Sequence, residues 1–225
     1  TAVAATTSMA NPRANFGSIG GHPGAFVAAG GNSGLAATEE FNFGTNTITA
    51  AAWASAPSIG TGRYLGGYGI TPTNASIIFG GQSTTSESKT EEYNGTTWSE
   101  QSDLNVNRWR GSGSGTQTAG FSFGGSTGPT THVKTAETYD GSSWTETTEV
   151  NVGRSFVFCL GTSPAFLFAG GFGTPGYTTK ADTEVWNGSA WTEVNELNTA
   201  KLGAGGAGTT TAGLVAGGPG KPNGL

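Results

Sequence analysis

Charge is scarce in this chain. Only 11% of its 225 residues are Asp, Glu, Lys or Arg, and the net charge is −5. The five lysines and five arginines are scattered, so the clustered basic surface that a nucleic-acid footprint requires is missing. Cys159 is the single cysteine, which excludes an intramolecular disulfide framework. His22 and His132 are the only histidines, too few for a histidine-built metal centre without help from other ligands. No apolar run reaches the roughly 20 residues of a membrane-spanning helix, and no segment holds a helical period. The chain starts at Thr1 with no signal-peptide pattern, so it reads as processed, truncated or cut from a longer protein. Glycine is plentiful, at 40 residues, but lacks the period of three of a collagen.

What is present is a repeat. Gly-Gly pairs stand at 30–31, 80–81, 124–125, 170–171 and 217–218, spaced by 50, 44, 46 and 47 residues. Each closes an apolar run: AFVAAGG, SIIFGG, FSFGG, FLFAGG and LVAGG. Four of the pairs are followed by an acid and an aromatic: Glu39 with Phe41, Glu91 with Tyr93, Glu137 with Tyr139, and Glu184 with Trp186. A tryptophan comes next (Trp53, Trp98, Trp144, Trp191), and ten residues beyond each stands Arg63, Arg108, Arg154 or Lys201. Arg13 begins the series, which places Val3 in the tryptophan slot of a further unit. A period of this length marks a repeat architecture.

Each unit divides into four short strands. The first follows the basic residue and is rich in small residues, the second is the apolar run, the third carries the acid and aromatic, and the fourth begins at the tryptophan. Asn94-Gly95, Asp140-Gly141 and Asn187-Gly188 separate the third and fourth strands and predict two-residue primed hairpin turns, with positive φ at both positions. Four-stranded units repeated radially make a β-propeller. The predicted units are 13–62, 63–107, 108–153, 154–200, and 201–225 completed by 1–12. The last lacks an acid–aromatic strand, so the expectation is an all-β, five-bladed ring whose final blade is closed by the segment around Val3–Met9. The alternative is a window on a larger propeller.

The residues quoted resemble kelch repeats, whose pattern is an apolar segment, Gly-Gly, Glu-x-Tyr-Asp, Trp, and then a turn and Arg. The match is closest at Gly124, Gly125, Glu137, Tyr139, Asp140, Trp144 and Arg154, and the resemblance covers essentially the whole chain. It departs from the pattern at Val3, at the longer insertion before Trp53, and at the short last unit. The resemblance implies a propeller serving as a binding platform. It also brings in copper oxidases of the galactose-oxidase type, glycan-active enzymes, and intracellular adaptors that grip an acidic peptide.

For chemistry, the repeating acids and arginines read as scaffold, because a blade needs the same brace each time and a site needs only one. His22 lies in a Gly-Pro turn and His132 in a polar loop of another unit, which does not favour a metal site; no cofactor is expected. Cys159, in an apolar strand, reads as a core residue. Asn74, Asn94 and Asn187 match the glycosylation pattern, although Asn94 and Asn187 are explained by their turns. What varies is the loop after each Gly-Gly, and variable loops on a rigid scaffold are where binding resides. The candidate ligand contacts are therefore His132, Lys134, Tyr177 and Lys180, together with Trp109, which follows Arg108 where the other units have Ala14, Tyr64, Ser155 and Leu202.

The expectation is a non-enzymatic surface-adhesion or structural module. The Lys-poor, Thr/Asn/Gly-rich composition resembles phage tail-fibre and other virion-surface proteins, which implies a location on a virion or outside the cell. The expected partner is a glycan or a protein, with no nucleic acid and no membrane insertion. An acidic-peptide adaptor would need several arginines converging on one face, which the regular spacing of the arginines argues against.

Overall fold

A computed structural model describes residues 17–21, 24–28, 38–42, 53–68, 75–174 and 178–218. Among these residues the chain is all-β, with no helix. In chain order the strands are β1 (Gly17–Gly21), β2 (Gly24–Ala28), β3 (Thr38–Asn42), β4 (Trp53–Ala56), β5 (Gly67–Tyr68), β6 (Ser76–Phe79), β7 (Thr90–Tyr93) and β8 (Trp98–Glu100). They continue with β9 (Ser112–Thr116), β10 (Ala119–Phe123), β11 (Ala136–Tyr139), β12 (Trp144–Thr147), β13 (Arg154–Ser155), β14 (Phe158–Thr162) and β15 (Ala165–Ala169). The last are β16 (Phe172–Gly173), β17 (Thr178–Thr179), β18 (Thr183–Trp186), β19 (Trp191–Val194), β20 (Gly205–Gly208) and β21 (Gly213–Ala216).

Four antiparallel four-stranded sheets result, ordered β1-β2-β3-β4, β5-β6-β7-β8, β9-β10-β11-β12 and β14-β15-β18-β19. β20 and β21 form a fifth, two-stranded sheet, and β13, β16 and β17 a short three-stranded one. The register places each acid of the third strand on a fixed partner of the second, Glu91 opposite Ile78, Glu137 opposite Ser122 and Glu184 opposite Phe168. The first strands of consecutive sheets lie side by side: β1 with β5, β5 with β9, β9 with β14 and β14 with β20. The segment around Val3–Met9, expected to complete the last unit, lies outside the described residues.

The predicted two-residue primed turns are not what joins the third and fourth strands. Tyr93 pairs with Trp98, Tyr139 with Trp144, and Trp186 with Trp191, so each loop has four residues. Only the glycines have positive φ, at 92° for Gly95, 99° for Gly141 and 100° for Gly188. The preceding Asn or Asp acts instead through its side chain. Asp140 Oδ1 accepts from the backbone N–H groups of Ser142 and Ser143 at 2.8 Å each, and Asn94 and Asn187 repeat the arrangement. The side chain therefore folds the turn locally.

The core lies between successive sheets. Phe79 of the second sheet meets Trp144 of the third edge to face, with ring centroids 4.9 Å apart, and Ile77, Leu104 and Tyr139 complete that layer. Phe121 stacks on Phe166 at 4.7 Å, and Phe123, Phe168, Trp186 and Trp191 surround them between the third and fourth sheets. The tryptophan N–H groups reach back one unit: Trp144 Nε1 donates to Thr90 Oγ1 at 2.9 Å and Trp191 Nε1 to the Thr148 carbonyl at 3.1 Å. The small first strand follows from this packing. A Cβ on Gly113 would stand 2.4 Å from the Phe79 ring.

In three of the units the recurrent acid and arginine form a buried brace. Arg108 Nη2 contacts Glu137 Oε1 at 2.5 Å, Arg154 Nη2 contacts Glu184 Oε1 at 2.7 Å, and Arg63 Nη2 lies 3.1 Å from Glu91 Oε1. Arg108 Nη1 also donates to the carbonyls of Gly124 and Thr135, and Arg154 Nη1 to those of Gly170 and Asp182. The acids accept in addition from the segment leading into the arginine: Glu137 from the N–H of Asn105 at 2.7 Å, Glu184 from Asn151 at 2.8 Å, and Glu91 from Gly60 at 2.6 Å. Each brace thus fastens the third strand of one unit to the chain arriving from the unit before. Burial lowers the pKa of all three arginines and the paired glutamate opposes the shift.

The Gly-Gly pair is shaped by the same joint. The N–H of the second glycine donates to the carbonyl of the next unit's basic residue: Gly81 to Arg108 and Gly125 to Arg154, both at 2.8 Å, and Gly171 to Lys201 at 2.7 Å. Both glycines have positive φ, 59° and 93° at Gly124 and Gly125, and a Cβ on Gly124 would stand 2.8 Å from the Arg154 carbonyl. Conformation and space both require glycine there.

Two outcomes are expected. Glu137→Ala leaves Arg108 buried without its carboxylate and should cost about 3–5 kcal/mol in urea unfolding, more than Glu100→Ala at the exposed pair with Lys89, where about 0–1 kcal/mol is at stake; equal losses would refute the brace. The Asp140 carboxyl is held down at about 2 from an ordinary 3.8 by backbone N–H donors, first Ser143 and then Ser142. Its contribution is therefore present above about pH 4 and lost as pH falls through about 2. The melting-temperature gap between wild type and Asp140→Ala should shrink across that window, and a constant gap would contradict it.

Candidate functional site

Two residues past the basic position, just ahead of the strand that opens the unit, four units carry a residue in the left-handed region. These are Leu65 (φ 56°), Arg110 (φ 57°), Phe156 (φ 54°) and Gly203 (φ 59°). Three of the four carry side chains, a conformation that costs roughly 1–2 kcal/mol for an L-residue. A backbone chain holds them in place. The Arg110 N–H donates to the Leu65 carbonyl at 2.9 Å, Phe156 N–H to Arg110 at 2.8 Å, and Gly203 N–H to Phe156 at 2.9 Å. One unit is thus tied directly to the next, and Leu65, Arg110 and Phe156 are brought into sequence along one face.

The loops after Gly81, Gly125 and Gly171 lie on that same face. Tyr64 bridges Gln82, Trp109 bridges Ser126, and Ser126 bridges His132; in the following unit β13 pairs with β16 and β16 with β17. Neighbouring loops also touch, since Ser86 Oγ donates to the Thr127 carbonyl at 3.2 Å.

Arg110 is the most unusual side chain here. Its guanidinium carbon lies 3.5 Å from the centroid of the Trp109 ring and 4.5 Å from that of Phe156. Burial lowers its pKa, with nearby Tyr64 opposing the shift. Arg63, Arg108 and Arg154 each meet a glutamate, whereas among the described residues Arg110 meets no carboxylate. His132 stands close by. Its Nδ1 is 3.1 Å from Ser126 Oγ, its ring meets Phe172 edge to face at 5.7 Å, and its pKa is lowered first by burial and then by Arg110.

Of the residues predicted to touch ligand, Trp109 and His132 are drawn together around Arg110. Trp109 is buried, 9% exposed, with one ring face beneath the guanidinium, so it supports Arg110. Lys134 is exposed, two residues beyond His132 in the same loop. Lys180, half-buried, donates its N–H to the Gly171 carbonyl at 2.9 Å in the next unit's loop. Tyr177 lies outside the described residues, as do His22 and Arg13. Arg110 itself escaped the reading of the sequence. Its signal is the Arg108-Trp109-Arg110 triplet, in which a second arginine stands where other units have Leu65, Phe156, Gly203 and Asn15.

Other chemistry is sparse. Among the described residues no three His, Cys, Asp or Glu side chains are grouped to hold a metal. Cys159 packs against the core between the third and fourth sheets, and loss of water raises its thiol pKa well above the usual range, which holds it protonated. Tyr139 is pushed up to about 12 by burial and by Glu92. The chain matches no protein-family model and no curated protein.

The left-handed positions yield a direct check. Leu65→Asn should melt higher than Leu65→Val by the equivalent of about 1 kcal/mol or more, because asparagine tolerates the left-handed region and a β-branched residue does not. The opposite order would show that Leu65 does not hold that conformation in solution.

Proposed function

We propose that this chain is a kelch-like β-propeller of five four-stranded blades, the last completed by residues 1–12, and that it acts without catalysis as a binding or structural module on a virion or cell surface. Its partner is a glycan or a protein surface, met by the loops after Gly-Gly. The observation that carries this reading is a division of labour. The acids and arginines that repeat from unit to unit are consumed in buried braces, while the side chains that do not repeat collect on the face of the Gly-Gly loops. A rigid frame presenting varied loops is the general form of a recognition surface. The side-by-side first strands and the aromatic layers between sheets support the radial arrangement.

The test is a glycan array run beside a pull-down from candidate host surfaces. The quadruple variant His132→Ala, Lys134→Ala, Tyr177→Ala, Lys180→Ala should lose at least about tenfold in affinity, the range expected when several loop contacts are removed. Retention of wild-type binding by a folded quadruple variant would move the site off this face. Failure to bind in both assays would remove the adhesion reading.

A further inference from the structure

Resting on the reading of this face as a binding surface, we propose that Arg110 is the receptor for the carboxylate of an acidic saccharide. Arginine offers five N–H donors in a planar fork that matches a carboxylate. Arg63 is ion-paired with Glu91, and Arg108 and Arg154 meet that requirement internally by hydrogen bonds to Glu137 and Glu184. Arg110 does not: among the described residues its guanidinium has no ion-pair or hydrogen-bond partner, and its Nε is buried. It is nevertheless held firmly. Trp109 lies against the guanidinium at 3.5 Å, Phe156 flanks it at 4.5 Å, and its backbone is fixed on both sides by hydrogen bonds to Leu65 and Phe156. A stacked, immobilised guanidinium keeps its Nη end for an anion and loses little freedom on binding one.

The unpaired guanidinium beside an aromatic ring calls for a ligand that carries a carboxylate next to an apolar surface. A uronic or sialic acid unit does so, and its apolar ring face suits Phe156. An acidic peptide would supply the charge and would be held better by several arginines, whereas only Arg110 is available here among the described residues.

The experiment uses the full chain with 15N-labelled arginine side chains. Galacturonate, glucuronate and N-acetylneuraminate are titrated beside the methyl ester of galacturonate and a Glu-containing peptide. The acids should shift the Arg110 Nε–H resonance and bind at least about tenfold more tightly than the ester, as expected for a bidentate charge-assisted pair. Arg110→Gln should abolish the difference. Arg110→Lys, which retains the charge but not the fork, should weaken binding by about tenfold. If Arg110→Gln does not fold, the wild-type resonance shift and Arg110→Lys still decide. No shift with any acid, equal binding of the ester, or tighter binding of the peptide would each overturn the proposal. A neutral glycan that binds wild type and Arg110→Gln alike would do so while leaving the wider reading of the face intact.

Discussion

The buried arginine–carboxylate fork is the interaction on which the rest of this structure depends. A sheet of four short strands cannot bury both of its faces alone, so each unit is stable only against its neighbours. Aromatic layers supply the area, but they are tolerant of sliding. The fork is not. Arg108 reaches two carbonyls and Glu137 in one plane, and Glu137 in turn accepts from the segment that delivers Arg108. Geometry this exacting fixes the offset of one unit on the next. A lone buried charge would be very costly, and two matched ones in a full set of hydrogen bonds are tolerable.

That joint explains several features which look independent in the sequence. The Gly-Gly pair exists because the chain must pass against the next basic residue's carbonyl with two successive positive φ angles. The ten-residue interval from tryptophan to the basic residue sets the length of the segment whose N–H groups cap the acid.

The left-handed residues show the same frame at the face proposed for binding. Leu65, Arg110 and Phe156 are held where a side chain is unfavourable, and the inter-unit hydrogen bonds that hold them run from residue to residue along one face. Strain of this kind persists only where the surroundings determine it. Gly203 occupies the same place with no strain and no side chain. The face therefore differs from unit to unit at a position where the backbone does not.

The repeat, the four strands of the first four units and the scaffold role of the recurrent acids and arginines were legible in the sequence, because each rests on period and composition that recur. The turns between third and fourth strands were misread. Asn-Gly and Asp-Gly favour a primed turn locally, but the cross-strand pair of aromatic residues sets a four-residue loop and leaves the side chain to cap it. Arg110 was invisible for a different reason. One extra arginine among five has no pattern to betray it, and its meaning depends on which partner it lacks. By itself the sequence determined the spacing and content of the units. Only the tertiary structure decided which of the described arginines pair with a glutamate and which one does not, because that depends on contacts between units far apart in the chain.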